Sequence, residues 1–205
     1  MRLAVAAACL VLLVSCSKST PSSTASTTQL SSTPAASDPR AGSVAGKAAP
    51  GAIVVLEATP PREFPRSPTP VMDQVALTFT PDLMFVRTGE PVEYRNSDDT
   101  LHNVHVGNSD TKESAFNVAI PTGEKYTFMF SKDGFYHVGC DIHPAMSAEI
   151  LAVSTPFATV AAGDGSFAFD DVPPGPYVAR TYAGGVKAER GVEIKAGANT
   201  IALAP

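Results

Sequence analysis

An all-β protein built from sandwiches of short strands is the fold class this sequence predicts, and three observations predict it. Gly (15) and Pro (18) together make up 33 of 205 residues, a composition that suits turns and short strands. Apolar runs of four or five residues recur along the chain between turn signals. No segment carries the three-to-four-residue apolar period of a long amphipathic helix.

Taken in order, residues 1–16 read MRLAVAAACLVLLVSC. One Arg precedes an apolar run too short to cross a bilayer as a stable anchor, the pattern of a secretory signal. Its end, Leu13-Val14-Ser15-Cys16, resembles a bacterial lipobox, which implies lipidation at Cys16. Residues 17–43 are expected to be a disordered linker. Ser, Thr, Pro and Ala supply 19 of the 24 residues from 17 to 40, too few apolar groups to offset the entropy of ordering.

Strand signals begin at Ile53-Val54-Val55-Leu56. Val75 to Phe79 reads as one strand closed by Pro81, and Leu83 to Val86 and Val92 to Tyr94 follow on either side of Gly89. The segment from Gly107 to Ala119 is polar and irregular, which predicts an open flank. Tyr126 to Phe130 alternates with period two, the mark of a strand with one buried face. Asp133-Gly134 turns the chain into Phe135 to Val138, and Ile150 to Val153 comes next. Gly163-Asp164-Gly165 precedes Ser166 to Phe169, and Pro173 to Pro176 precedes Tyr177 to Arg180. Ile194 and Ile201 to Leu203 finish the pattern.

Composition excludes several classes. A net charge of −5 argues against a nucleic-acid partner, because phosphate binding wants a basic face. Three cysteines are too few for a disulfide scaffold. Neither a dinucleotide-binding Gly motif nor a P-loop is present. With Cys9 lost in the signal and Cys16 acylated, Cys140 is the one free thiol expected in an oxidising compartment, and a lone secreted thiol calls for burial, pairing or a metal.

All four histidines lie between 102 and 143, in the stretch that holds Cys140. The dense part is Cys140-Asp141-Ile142-His143-Pro144-Ala145-Met146, a loop between two strand signals in which Pro144 disfavours a helix interior. His102 follows a turn-rich segment, Asn96 to Thr100. A thiolate, two imidazoles and a thioether form a soft-to-borderline donor set. Mg and Ca want oxygens, and Met is a poor ligand for structural Zn. His2Cys with a weak axial Met is the donor set of a blue copper electron-transfer site. His105 and His137 each lie three residues from a candidate ligand, so strand parity turns them to the other face. Asp98 and Asp99 read as turn-formers.

Two motifs then carry a resemblance to the cupredoxin family, in particular its amicyanin and pseudoazurin branches: His102-Asn103-Val104-His105-Val106, and Tyr136 through Met146 with its short C-x2-H-P-x-M loop. The resemblance covers about 71–153. It implies a Greek-key β-sandwich, one copper ion, His102, Cys140 and His143 as equatorial ligands, and Met146 as the axial one. It also implies that Asn103 braces the two ligand-bearing segments by hydrogen bonding. Asp141, acidic and directly after the cysteine, departs from the family pattern. A carboxylate near the thiolate is expected to stabilise Cu(II), lower the potential and redden the site.

Residues Gly42 to Gly46 with Gly51 to Glu57, and Gly163 to Tyr177, resemble the two ends of a carboxypeptidase regulatory-like (transthyretin-like) sandwich. The expected organisation is therefore a copper domain at 70–154, inserted in or joined to a second small sandwich made of 44–60 and 155–205.

The expected function is an exported, membrane-tethered, type 1-like copper protein for outer-sphere single-electron transfer, with no enzymatic activity. Copper storage or delivery, and a surface binding module with a vestigial copper site, are the alternatives. The partners implied are transient redox proteins and, through the lipid anchor, a membrane; the protein is expected to be a monomer. Its location is expected to be the periplasm or cell surface, the outer membrane in a Gram-negative cell because Ser17 follows Cys16. Removal of Arg2 with the signal takes the net charge from −5 one unit lower, which favours basic or mixed-charge partners.

Overall fold

The computed structural model describes residues 41–203. The signal segment, the lipidation position Cys16 and spacer residues 17–40 lie outside the described residues. The described residues form sixteen strands and no helix: β1 (Gly42–Lys47), β2 (Ile53–Ala58), β3 (Val71–Val75), β4 (Thr78–Thr80), β5 (Leu83–Arg87), β6 (Pro91–Asn96), β7 (His102–Asn108), β8 (Ser114–Ile120), β9 (Lys125–Met129), β10 (Gly134–Gly139), β11 (Ser147–Val153), β12 (Ala158–Val160), β13 (Ser166–Val172), β14 (Gly175–Ala183), β15 (Val186–Ile194) and β16 (Gly197–Ala202).

These strands make four sheets. The orders β5-β11-β10-β7-β8 and β4-β3-β6-β9 use the middle of the chain, while β13-β1-β16 and β12-β2-β14-β15 use its two ends. The middle pair encloses a core of Met72, Val92, Tyr94, Val104, Val106, Phe130, Val138 and Ile150. The outer pair encloses Val44, Val54, Leu56, Phe157, Tyr177 and Ile194.

A third apolar layer joins the two sandwiches. In β11, Ile150 and Ala152 face the middle core, while Leu151 and Val153 face the other way and pack with Val55. In β2, Val54 and Leu56 face the outer core, while Val55 and its neighbour Ile53 belong to the joining layer with Phe85, Phe135 and Tyr182. Phe135 and Tyr182 meet edge to face at 5.1 Å. A strand buried on both faces reads as an unbroken apolar run rather than an alternating one. Ile53 to Leu56 and Ile150 to Val153 are such runs, and the stacking of the two sandwiches is the reason for them.

Three expectations are corrected. Val75 to Phe79 is not one strand. It is a hairpin whose two-residue turn, Ala76-Leu77, takes positive φ at both positions (52° and 56°), the conformation of a type I′ turn. Neither residue is the Gly, Asn or Asp that such turns favour, so the turn is hidden in the sequence. The Gly107–Ala119 flank is not wholly irregular: β8 runs from Ser114 and pairs with β7 from His102↔Ile120 to Gly107↔Ser114. β1 also begins at Gly42, so residues 42 and 43 are strand rather than spacer.

Candidate metal centre

Two neighbouring strands of the five-stranded sheet and the loop after one of them build the site. β7 opens with His102, whose side chain points inward with Val104 and Val106; all three are buried. β10 pairs with β7 and ends at Gly139, which puts Cys140 beside the start of β7. The loop 140–146 then closes on itself. The Met146 amide donates to the His143 carbonyl at 2.9 Å, the Cys140 amide donates to the Met146 carbonyl at 3.3 Å, and the His143 amide donates to Cys140 Sγ at 3.4 Å.

The result is a tight triangle. His102 Nδ1 and His143 Nδ1 are 2.9 Å apart, and Cys140 Sγ lies 3.9 Å from each. Among the described residues this is the one group of three or more His, Cys and carboxylate donors close enough to share an ion, with all ligand atoms within 4.8 Å of one another. The point equidistant from the three atoms lies about 2.1 Å from each, close to the length of a metal–imidazole bond. The donor set and its spacing therefore fit one borderline transition-metal ion.

Residues 69–153 match the family of copper binding proteins, the plastocyanin/azurin family. Among solved structures the chain is similar to a reduced amicyanin variant, at 21% identity over 42% of this chain and 82% of that one, with a TM-score of 0.38. It is also similar to a copper-containing nitrite reductase from Thermus scotoductus SA-01, at 25% identity over 46% and 24% of the two chains, TM-score 0.39. A novel purple cupredoxin from Nitrosopumilus maritimus is similar at 19% identity over 41% and 99%, TM-score 0.37. No curated protein matches the chain. The plastocyanin/azurin family binds copper, and the His-Cys-His cluster within the matched residues could hold one metal ion.

Asn103, next to His102 on β7, ties the strand to the loop. Its Oδ1 accepts from the amides of Asp141 at 2.7 Å and Ile142 at 3.3 Å and from the Cys140 thiol at 3.3 Å. Met146 is buried in the same core cluster as Cys140. The Asp141 carboxylate turns to the outer face of the sheet. It accepts from Asn117 Nδ2 at 2.7 Å and Asn103 Nδ2 at 3.1 Å and pairs with His105 Nδ1 at 3.1 Å. Hydrogen bonds from His105 first, then Asn117, hold its carboxyl below the usual carboxylate range.

The residue that sequence reasoning missed is Asp98. Read as a turn-former of its own loop, it instead reaches across to the Ala76-Leu77 turn and to His102, where Oδ2 meets Nε2 at 2.8 Å. The amide of Leu77 first, then His102, holds its carboxyl below the usual range. With Nε2–H donated to a carboxylate, His102 keeps its Nδ1 lone pair for the centre. The one signal in the sequence is an acidic residue four positions before the histidine.

Proposed function

We propose that this chain is an exported, lipid-tethered copper protein that passes single electrons by outer-sphere transfer. His102, Cys140 and His143 would hold the ion, Met146 would be a weak fourth donor, and Asn103 and Asp98 would keep the donors in place. The observation that carries this reading is the convergence of the His102, Cys140 and His143 donor atoms within 4.8 Å, at the end of a sandwich that belongs to a match with a copper-binding family.

A copper ion held there supplies one-electron redox chemistry. The chain's part is to keep the donors still and dry. His102 and Cys140 are buried, His102 is held by Asp98, and the loop is held by Asn103 and by its own hydrogen bonds. Rigid donors change position little between oxidation states, which keeps the barrier to transfer low. Four donors leave no open position for a substrate, so the role is transfer rather than catalysis. His143 is the least buried of the three clustered donors and lies among exposed Ile142, Pro144 and Ala145. It is the electron port, and the apolar residues around it form a patch for weak, transient docking.

The signal and lipobox-like segment support export and tethering through Cys16 to a periplasmic or cell-surface membrane. The pairing of β1 and β2 with β12, β13, β14 and β16 supports a carboxypeptidase regulatory-like sandwich of 44–60 and 155–205 into which a copper domain of 70–154 is inserted, the whole acting as a monomer.

Visible and EPR spectra of the Cu(II)-loaded chain test the reading. An intense thiolate-to-Cu(II) band that Cys140→Ser abolishes, with a reversible one-electron couple, is the expected result. Cu(I) binding with no stable Cu(II) form refutes electron transfer in favour of copper delivery.

A further inference from the structure

The outer face of the five-stranded sheet carries a second arrangement of ligating side chains that shares no donor atom with the His-Cys-His cluster. In the β7–β10 register His105 stands opposite Gly139 and His137 opposite Gly107. Val106 and Val138 between them are fully buried in the core, so the two histidines and the two glycines all face outward. The pattern is a checkerboard: imidazoles on one diagonal, bare backbone on the other. The His137 ring lies over Gly139, with Nε2 3.6 Å from where a Cβ would stand. It therefore leans across the gap toward the row of His105.

Each imidazole is held from behind by a carboxylate. His105 Nδ1 is 3.1 Å from Asp141 Oδ1, and His137 Nδ1 is 3.0 Å from Glu149 Oε1, its direct cross-strand partner on β11. A carboxylate on Nδ1 fixes the tautomer that leaves Nε2 with a free lone pair, the arrangement that supports a metal-ligating histidine. Both rings line one groove of about 600 Å³, with Ser109, Lys112 and Ser147 on its walls. The Lys112 ammonium is turned back onto the Ser109 carbonyl at 2.6 Å. Both imidazoles are accessible, with side chains 40% and 57% exposed.

The geometry points to a second, surface metal site in which His105 Nε2 and His137 Nε2 together bind a borderline divalent transition cation, with water completing its shell. Imidazole pairs select Zn, Cu and Ni over Mg and Ca. Asp141 and Glu149 are positioning residues that act through the two rings.

The chain has only four histidines, so long-range imidazole 1H–15N spectra of the full chain, titrated with Zn2+ alone, read every ring separately. His105 and His137 are expected to respond at Nε2 with one shared saturation curve. Glu149→Gln is expected to weaken that curve about tenfold or more while leaving the rings of His102 and His143 in place. His105→Asn is expected to weaken the response of His137 by at least as much. Separate curves for the two rings, no response at either, or a His137 midpoint unmoved by both substitutions overturns the proposal. His102 and His143 report the buried cluster in the same spectra, so failure of that cluster to bind is read independently of failure here.

Discussion

Asp98 Oδ2 lies 2.8 Å from His102 Nε2, and the same carboxylate accepts the backbone amides of Ala76 at 2.6 Å and Leu77 at 3.0 Å. One side chain thus fixes a left-handed turn on one sheet and orients a buried imidazole on the other. The turn residues lack the conformational freedom of glycine, and each left-handed position costs about 1–2 kcal/mol, so the hairpin depends on this carboxylate. Asp98→Ala is expected to lower copper affinity by about 10- to 100-fold, measured by chelator competition, and to lower the urea midpoint.

The same group sets a pH dependence. Its carboxyl is held below the usual range in the folded chain, so folding favours the ionised form. That contribution is complete above about pH 4, where the unfolded group is ionised, and is lost as pH falls through the lower folded value. Urea midpoints of the metal-free protein are expected to fall on acidification below about pH 4, less steeply in Asp98→Ala. A variant profile as steep as the parent's refutes this.

Asn103 Oδ1 holds two loop amides and the thiol, and Asn103 is itself buried. Asn103→Ala leaves the loop donors without partners, at about 1–3 kcal/mol for a buried donor. The expected result is a lower thermal midpoint together with a broadened Cu(II) EPR spectrum, because the loop that carries Cys140 and His143 loses its tie to β7.

Met146 is buried, so Met146→Leu, a near volume-conserving change, is expected to cost less than about 1.5 kcal/mol. If its thioether is the axial donor, removing electron density from Cu(II) raises the reduction potential. Cyclic voltammetry that finds the potential unchanged assigns Met146 to packing alone.

Leu151 is 2% exposed and sits in the layer that joins the two sandwiches. Leu151→Ala is expected to cost about 2–5 kcal/mol and to destabilise both sandwiches together, seen as one calorimetric transition at lower temperature. A fragment of 70–154 bares Phe85, Phe135, Leu151 and Val153 at once, and is expected to be less soluble than the full chain.

Sequence alone was enough for the all-β class and for the closeness of Cys140 and His143, because both are local, whereas the meeting of His102 with them rests on the pairing of β7 with β10. Strand periodicity repeats every two residues, and Cys140, His143 and Met146 stand within seven positions of one another on a loop bracketed by strand signals. The sequence also carried, without explaining it, the doubly apolar character of Ile53 to Leu56 and Ile150 to Val153. Only the tertiary structure decided why those runs exist: one sheet of each sandwich has a neighbour on both faces. It likewise decided that Ala76-Leu77 is a turn held by Asp98, and that His105 and His137 share a face. Each of these depends on register between strands far apart in the chain, and register is set by packing and long-range hydrogen bonds that no short stretch of sequence encodes.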